Sequence, residues 1–288
     1  MAIKALACEL PARHGVPLAR WHTPELARAA VEQGIVAAIS DTTIWRWLSG
    51  DAIRPWQHRS WIFPRDPDLS AKAARVLDLY ARRFNGRKLG GSDYVLSADE
   101  KTSIQARARK HDTLPPAPKR PTRVEHEYER RGALAYLAAW DVGRAKVFGR
   151  CELTSGIEPF DRLVDQVMAS EPYASARRVF WVVDNGSSHR GQASIDRLQS
   201  KWRTLRLVHL SIHASWLNQV EIYFSVIQRK VLTPNDFSDL GEVEARLLAF
   251  QDHYAQIATP FEWKFTTADL HALLARTVQH ETKVSQAA

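Results

Sequence analysis

The sequence predicts an α/β fold, a mixed sheet flanked by helices, preceded by a small helical region. Three observations carry this. After Gly91 the apolar pattern runs strand, hairpin, helix, strand, helix, strand, helix, the order of helix-linked strands in one sheet. Two of the apolar runs, Tyr94 to Asp99 and Val179 to Asp184, end on an acid. The first 64 residues have a different texture, with helix start and stop signals.

In that first region Thr23-Pro24-Glu25 reads as an N-cap, a proline at the first helical position and an acid in the first turn. The helix runs through Leu26, Ala29, Ala30 and Val31 to Gly34. A second start at Ser40-Asp41 leads through Trp45 and Trp47 to Gly50. Two short helices across a tight turn make a candidate helix-turn-helix, which would place Thr42, Thr43 and Arg46 in a DNA major groove. An ordinary helical hairpin is the other reading. Pro55 to Pro67 is irregular and aromatic, with Trp56, Trp61 and Phe63 among basic residues, and reads as a DNA-contacting arm or a packed connector. Asp68 to Phe84 follows as a helix, with Leu69, Ala73, Val76, Leu77 and Tyr80 at helical spacing. The turn-rich stretch from Asn85-Gly86 to Gly90-Gly91 marks a boundary. The expected organisation is residues 1–64 for DNA binding, 65–92 as a helical linker, and 93–288 as a catalytic domain.

Beyond the strand to Asp99, the segment Lys101 to Arg123 carries Lys101, Arg107, Arg109, Lys110, Lys119, Arg120 and Arg123 against one acid, Asp112. Its prolines keep part of it extended. The excess suits a phosphate backbone, with a solvated loop as the bland alternative. Leu134 to Trp140 and Ala145 to Cys151 form a hairpin across Asp141–Arg144. Glu158 to Ala169 is helical, and the strand to Asp184 comes next. A helix near Gln192 to Trp202 and a strand from Leu205 to Leu210 follow. An amphipathic helix from Ser215 to about Val231 carries Glu221, and two further helices end the chain.

The 288 residues allow one large domain or a small one joined to a medium one. Composition, 45% hydrophobic and 25% charged, excludes global disorder. A net charge of +8 points to a polyanionic partner. Two cysteines, Cys8 and Cys151, make neither a disulfide framework nor a metal cluster and fit a reducing cytoplasm. No run approaches the roughly 20 apolar residues of a membrane span, and the start lacks a signal-peptide cleavage site.

Asp99, Asp184 and Glu221 are the chemically informative residues. Burying a carboxylate is costly without a cationic partner, and a divalent metal is the natural one. Alternation puts Val95, Ser97 and Asp99 on one face of the first strand, and Phe180, Val182 and Asp184 together on the second. Glu221 borders the stripe Leu217, Val220, Phe224, Ile227 and Val231, with Asn218 three residues earlier to orient it or a water. Each acid has a plainer reading: Asp99 as a turn residue with Glu100 as the ligand instead, Asp184-Asn185-Gly186 as a turn, Glu221 as a partner of Arg229 or Lys230. His189, His209 and His213 show no zinc-site spacing, and neither a phosphate-binding glycine loop nor a serine-nucleophile elbow is present.

Three blocks, Asp99-Glu100-Lys101, Val183 to His189 and His213 to Glu221, resemble the signatures of bacterial insertion-sequence transposases of the mariner superfamily, in the insertion sequence 630 family. The interval 185–220 between the second and third acids lies within that family's range. The resemblance implies a ribonuclease-H-like catalytic domain in which Asp99, Asp184 and Glu221 hold two Mg²⁺ ions, replaceable by Mn²⁺, with Asn185 and Asn218 in support. It implies cleavage at terminal inverted repeats by water, then attack of the freed 3′-hydroxyl on target DNA, commonly at a TA step. Double-stranded DNA and a homodimer are the implied partners, and the bacterial cytoplasm, at the nucleoid, the implied location. Such transposases usually carry two helix-turn-helix units, and one is readable here, as in a truncated chain or a decayed element. A DNA-binding remnant that regulates transposition without cleaving, and a nuclease of RNA–DNA hybrids, are the rival readings.

Overall fold

The structure is a computed structural model that describes residues 2–58, 66–212 and 214–286, the last ten of these without their side chains. Trp61, Phe63 and His213, which the sequence reading singled out, lie outside the described residues. The chain divides into two compact units, Met1–Ile62 and Phe63–Ala288.

The first unit packs helix α1 (Ala2–Ala7), a 3-10 turn (Pro11–His14), α2 (Thr23–Glu32) and α3 (Asp41–Gly50). Its core gathers Ile3, Leu6, Trp21, Leu26, Ala30, Ile44 and Leu48. Helix α1 was not anticipated, because six residues are too short for a period to register. The α3 start is as expected, with Ser40 Oγ accepting from the Thr43 amide at 3.2 Å. At α2 the expectation shifts by one residue: Thr23 is already helical and His22 holds the cap position without a side-chain bond.

The second unit begins with α4 (Leu69–Tyr80), followed by a tiny hairpin of β1 (Arg83–Phe84) and β2 (Arg87–Lys88). The helix therefore stops short of the expected Phe84. Arg82, Asn85 and Gly86 all take positive φ (58°, 49° and 75°), and Asn-Gly with two such residues is a hairpin turn that a helix cannot pass through. Next come β3 (Asp93–Ala108), β4 (Glu129–Asp141), β5 (Lys146–Glu152), α5 (Ile157–Met168), β6 (Arg178–Val183), α6 (Gly191–Lys201) and β7 (Leu205–His209). A 3-10 turn (Ser215–Leu217) precedes α7 (Val220–Lys230), and α8 (Leu240–Ile257) and α9 (Thr267–Gln286) follow.

Five strands form one sheet in the order β5-β4-β3-β6-β7. Strand β4 runs antiparallel to both its neighbours, β3 and β5, while β6 and β7 run parallel to β3. One face buries Leu96, Ala98, Val179, Trp181 and Val183 against α5 and α6 through Phe160, Leu163 and Leu198. On the other face Val95, Phe180 and Val182 meet α4 through Val76 and Leu77. Farther along that face Tyr136, Ala138 and Trp140 meet α7 and α8 through Tyr223, Ile227, Val243 and Leu247. Among the described residues no helix is long and apolar enough to cross a membrane.

One expectation is corrected. Asp99 does not end its strand, since β3 continues to Ala108 alongside β4. What ends is the pairing with parallel β6, which spans only Asp93 to Ser97. An apolar run marks a strand flanked and covered on both sides, so the loss of that pattern at Asp99 signals the loss of a neighbour. Asp99 therefore stands just past the carboxyl end of the parallel pair, and Asp184 just past β6.

Register between β3 and β6 is pinned where they start. Arg178 Nε and Nη2 reach the two oxygens of Asp93 at 3.0 Å each, and the Gly90 amide adds a third bond. Arg178 holds the Asp93 carboxyl below its ordinary range. Removing one member of such a buried pair strands the other charge. Asp93→Ala is expected to destabilise this unit by roughly 3 kcal/mol, measured as a lower urea midpoint with the slope unchanged.

Candidate active site

The loop after β7 decides where Glu221 sits. The helical pattern had been read from Ser215, but the helix proper starts at Val220, and Asn218 lies in the break with extended backbone (φ −80°, ψ 105°). Released from the helix, its buried side chain turns to β3. Asn218 Nδ2 donates to the Ala98 carbonyl at 3.0 Å and to Asp99 Oδ2 at 3.2 Å. Its Oδ1 accepts a short hydrogen bond from Ser97 Oγ, which in turn accepts from the Val220 amide at 2.9 Å. Asn218 thus orients Asp99, where the sequence reading had it orienting Glu221 or a water.

Helix α4 fixes the same loop from behind. Tyr80 donates its hydroxyl to the Leu217 carbonyl at 2.7 Å. Ahead of that helix, Asp66 accepts from Ser211 at 2.8 Å and from Lys72 at 2.9 Å. The Lys72 and Ser211 bonds lower the Asp66 carboxyl to about 2. Phase along β3 could have pointed to Ser97, whereas nothing local marks Tyr80.

Asp184 is held by its own turn. Its Oδ1 accepts from the Gly186 amide at 2.7 Å and lies 2.6 Å from His189 Nε2. His189 Nδ1 is 2.9 Å from Ser188 Oγ, which donates to Glu100 Oε1 at 2.8 Å. A chain of side chains therefore ties Asp184 to Glu100. His189 is wholly buried against Phe160, with ring centroids 4.8 Å apart. His209 Nε2 donates to the His189 carbonyl at 2.6 Å. A Cβ on Gly186 would come within 2.9 Å of Asp184 Oδ1 and 3.1 Å of the imidazole, so the turn has no room for a side chain.

Each predicted acid is shifted by its surroundings. Burial, reinforced by the charges of Asp184, Glu100 and Glu221, pushes the Asp99 carboxyl up to about 7. The His189 bond lowers Asp184. Burial raises Glu221, with Lys101 opposing and Asp184 adding to the rise. The cation that acts on Glu221 is Lys101, and neither Arg229 nor Lys230. Carboxylate oxygens are the donor chemistry that hard cations such as Mg²⁺ or Mn²⁺ prefer. Among the described residues, however, no group of three or more His, Cys, Asp or Glu side chains is arranged to hold a metal ion. The fit is one of charge and donor type.

The remaining predicted residues separate. Asn185 Nδ2 caps the Leu210 carbonyl at 2.7 Å, bracing the end of β7. Lys101 and Arg107 belong to β3. Arg109 turns inward, donating to the carbonyls of Glu125 (2.7 Å) and Asn235 (2.9 Å) and lying over the Tyr128 ring with Arg107. Lys110, Lys119, Arg120 and Arg123 are exposed, the last three around a small loop bridged at Leu114–Arg123 and Ala117–Arg120. In the first unit, Thr42 and Arg46 are exposed, while Thr43 Oγ1 is engaged with Ser40 at 2.9 Å.

The sequence profile described as DDE superfamily endonuclease matches residues 94–244, more than half of the chain and all three acids. The chain belongs to the DDE superfamily endonucleases. Among solved structures, the Mos1 mariner paired end complex with Mn is similar with a TM-score of 0.54 at 16% identity, over 88% of this chain and 72% of that one. The corresponding complex with Mg matches at 0.52 and 14%, over 96% and 76%. The Mos1 strand transfer complex matches at 0.51 and 14%, over 96% and 75%. At such identity the likeness shows the fold, and this DDE endonuclease shares the ribonuclease-H-like mixed sheet. No curated protein sequence matches it.

The raised Asp99 has a signed consequence. A folded-state carboxyl above its unfolded value favours the fold at low pH, and that advantage is lost as pH rises toward the folded value. Without metal, Asp99→Asn is therefore expected to melt above the parent at pH 8, the gap closing near pH 4. Equal melting temperatures at both pH values would show that Asp99 carries no such strain.

Proposed function

We propose that this DDE endonuclease is a DNA transposase of a bacterial insertion sequence, in the insertion sequence 630 family. Asp99, Asp184 and Glu221 are its catalytic acids. One observation carries the reading: Asp99, just past the end of a parallel strand pair, and Glu221 both feel the charge of Asp184, in a chain that matches the DDE profile. The Mos1 complexes described with Mn, Mg and DNA ends support divalent ions and paired DNA ends here too.

Asp99, Asp184 and Glu221 would hold two divalent ions, which would supply charge neutralisation for phosphoryl transfer. The protein's own contribution is position. Asn218 and Ser97 fix Asp99 against the start of α7, and His189 with the crowded Gly186 turn fixes Asp184. Water cuts the element free, and the released 3′-hydroxyl then attacks target DNA, so no protein nucleophile is required. The first unit, as a helix-turn-helix through α2 and α3, would read the terminal repeats with Thr42 and Arg46. Exposed Lys110, Lys119, Arg120 and Arg123 would meet phosphates. A homodimer would join two ends, at the nucleoid.

The test uses DNA bearing the inverted repeats that flank the gene. Cleavage at the repeat ends is expected with Mg²⁺ or Mn²⁺, and Asp184→Asn is expected to abolish it while retaining DNA binding. Binding without cleavage by the parent would favour the regulatory remnant, and equal nicking by Asp184→Asn would sink the assignment of the acids.

A further inference from the structure

Past Ser97, β3 loses β6 and keeps only β4 as a neighbour. On this one-sided stretch the strand is broken by a bulge. Its pairing with β4 skips from Lys101 to Ile104, and Ser103 takes φ 59°. Bulges beside active sites redirect side chains, and this one resets the phase. Val95 faces the α4 and α7 side before it, and Ile104 and Ala106 face that side after it. Thr102 and Ser103 are left exposed. The loop after α7 then closes on the strand, with Asn235 Nδ2 donating to the Gln105 carbonyl at 2.7 Å and Asn235 Oδ1 accepting from the Arg107 amide at 3.1 Å.

Bulge, loop and the last turn of α7 enclose a cleft of about 200 Å³ lined by Lys101, Thr102, Ser103, Arg107 and Gln228 among others. The lining has two cations, Lys101 and Arg107, and no carboxylate. Gln228 is oriented by donating to Thr233 Oγ1 at 3.1 Å. The Lys101 charge acts on Glu221, so the near end of the cleft adjoins the acids. A DNA strand with one phosphate at those acids has its neighbouring phosphates repelled by the same carboxylates. The adjoining trough offers the opposite environment, two cations together with neutral donors.

We propose that this cleft is a phosphodiester subsite that receives the phosphate next to the scissile one, and so sets the direction in which the strand leaves the acids. Lys101 and Arg107 supply charge, and the Thr102 and Ser103 hydroxyls with the Gln228 amide supply neutral hydrogen bonds. The assignment rests on the DNA reading above.

Binding of a short fluorescein-labelled single-stranded oligonucleotide to the full chain, in EDTA, tests it without requiring cleavage. Gln228→Glu and Thr102→Glu place a carboxylate in the cleft. Each is expected to weaken binding about tenfold, the size of one charge-assisted contact. Each should also flatten the salt dependence of log K by about 0.7. Gln199→Glu makes the same charge change on α6, whose Leu198 packs on the other face of the sheet, and is expected to leave both quantities at the parent value. Parent-like binding by both cleft variants, or equal weakening by Gln199→Glu, overturns the subsite alone. Failure of the parent to bind any oligonucleotide overturns the DNA reading and the subsite together.

Discussion

A carboxylate buried beside other acids is the constraint around which this unit is built. Asp99 is 8% exposed and shares its surroundings with Asp184, Glu100 and Glu221. A core that only needed stability would replace such a group with an apolar residue, because an unpaired buried charge is costly. The surrounding structure instead holds it in place. Asn218 and the Glu100 amide bond its two oxygens. Ser97 clamps Asn218 to the first turn of α7, and Tyr80 anchors the preceding backbone. Strain concentrated at one point and supported from several elements is what the proposed cation site requires.

The sheet topology explains why the Asp184 charge acts on Asp99. The parallel pairing of β3 with β6 stops at Ser97, just before β6 itself ends, so residues just beyond it share one edge, the usual place for function in such sheets. Antiparallel β4 lets β3 continue past that edge, which no parallel partner does here. The continuation provides the bulge and the polar cleft beside the acids. Helix α4 belongs to this architecture as well, because its residues pack on Phe180 and Val182 and its ends tether the loop that delivers Glu221.

Much of this was legible in the sequence, for physical reasons that also mark its limits. Two-residue alternation placed Val95, Ser97 and Asp99 on one face, since burial enforces phase. The same apolar run misplaces the end of β3, because the pattern fades where β6 is lost although β4 still pairs with the strand. Asn218 was recognised as an orienting residue with the wrong target: helical spacing cannot foresee that the backbone leaves the helix at that residue. The ties from His189 through Ser188 to Glu100, and from Tyr80 to Leu217, join segments far apart in sequence. No local pattern encodes such contacts. The inward turn of Arg109 was likewise hidden, since a basic residue in a basic segment looks the same whether it meets a phosphate or a backbone carbonyl.

The most direct test is calorimetric titration of Mn²⁺ into the DNA-free protein at pH 6 in buffers of different ionisation enthalpy. Metal binding that requires a deprotonated ligand releases its proton. If the three acids form the cation site, saturable binding should release close to one proton at pH 6 and far less at pH 8. Asp99→Asn should lose that release along with most of the affinity. Binding without proton release at pH 6, undiminished in Asp99→Asn, would place the cation elsewhere and contradict the central role of these carboxylates.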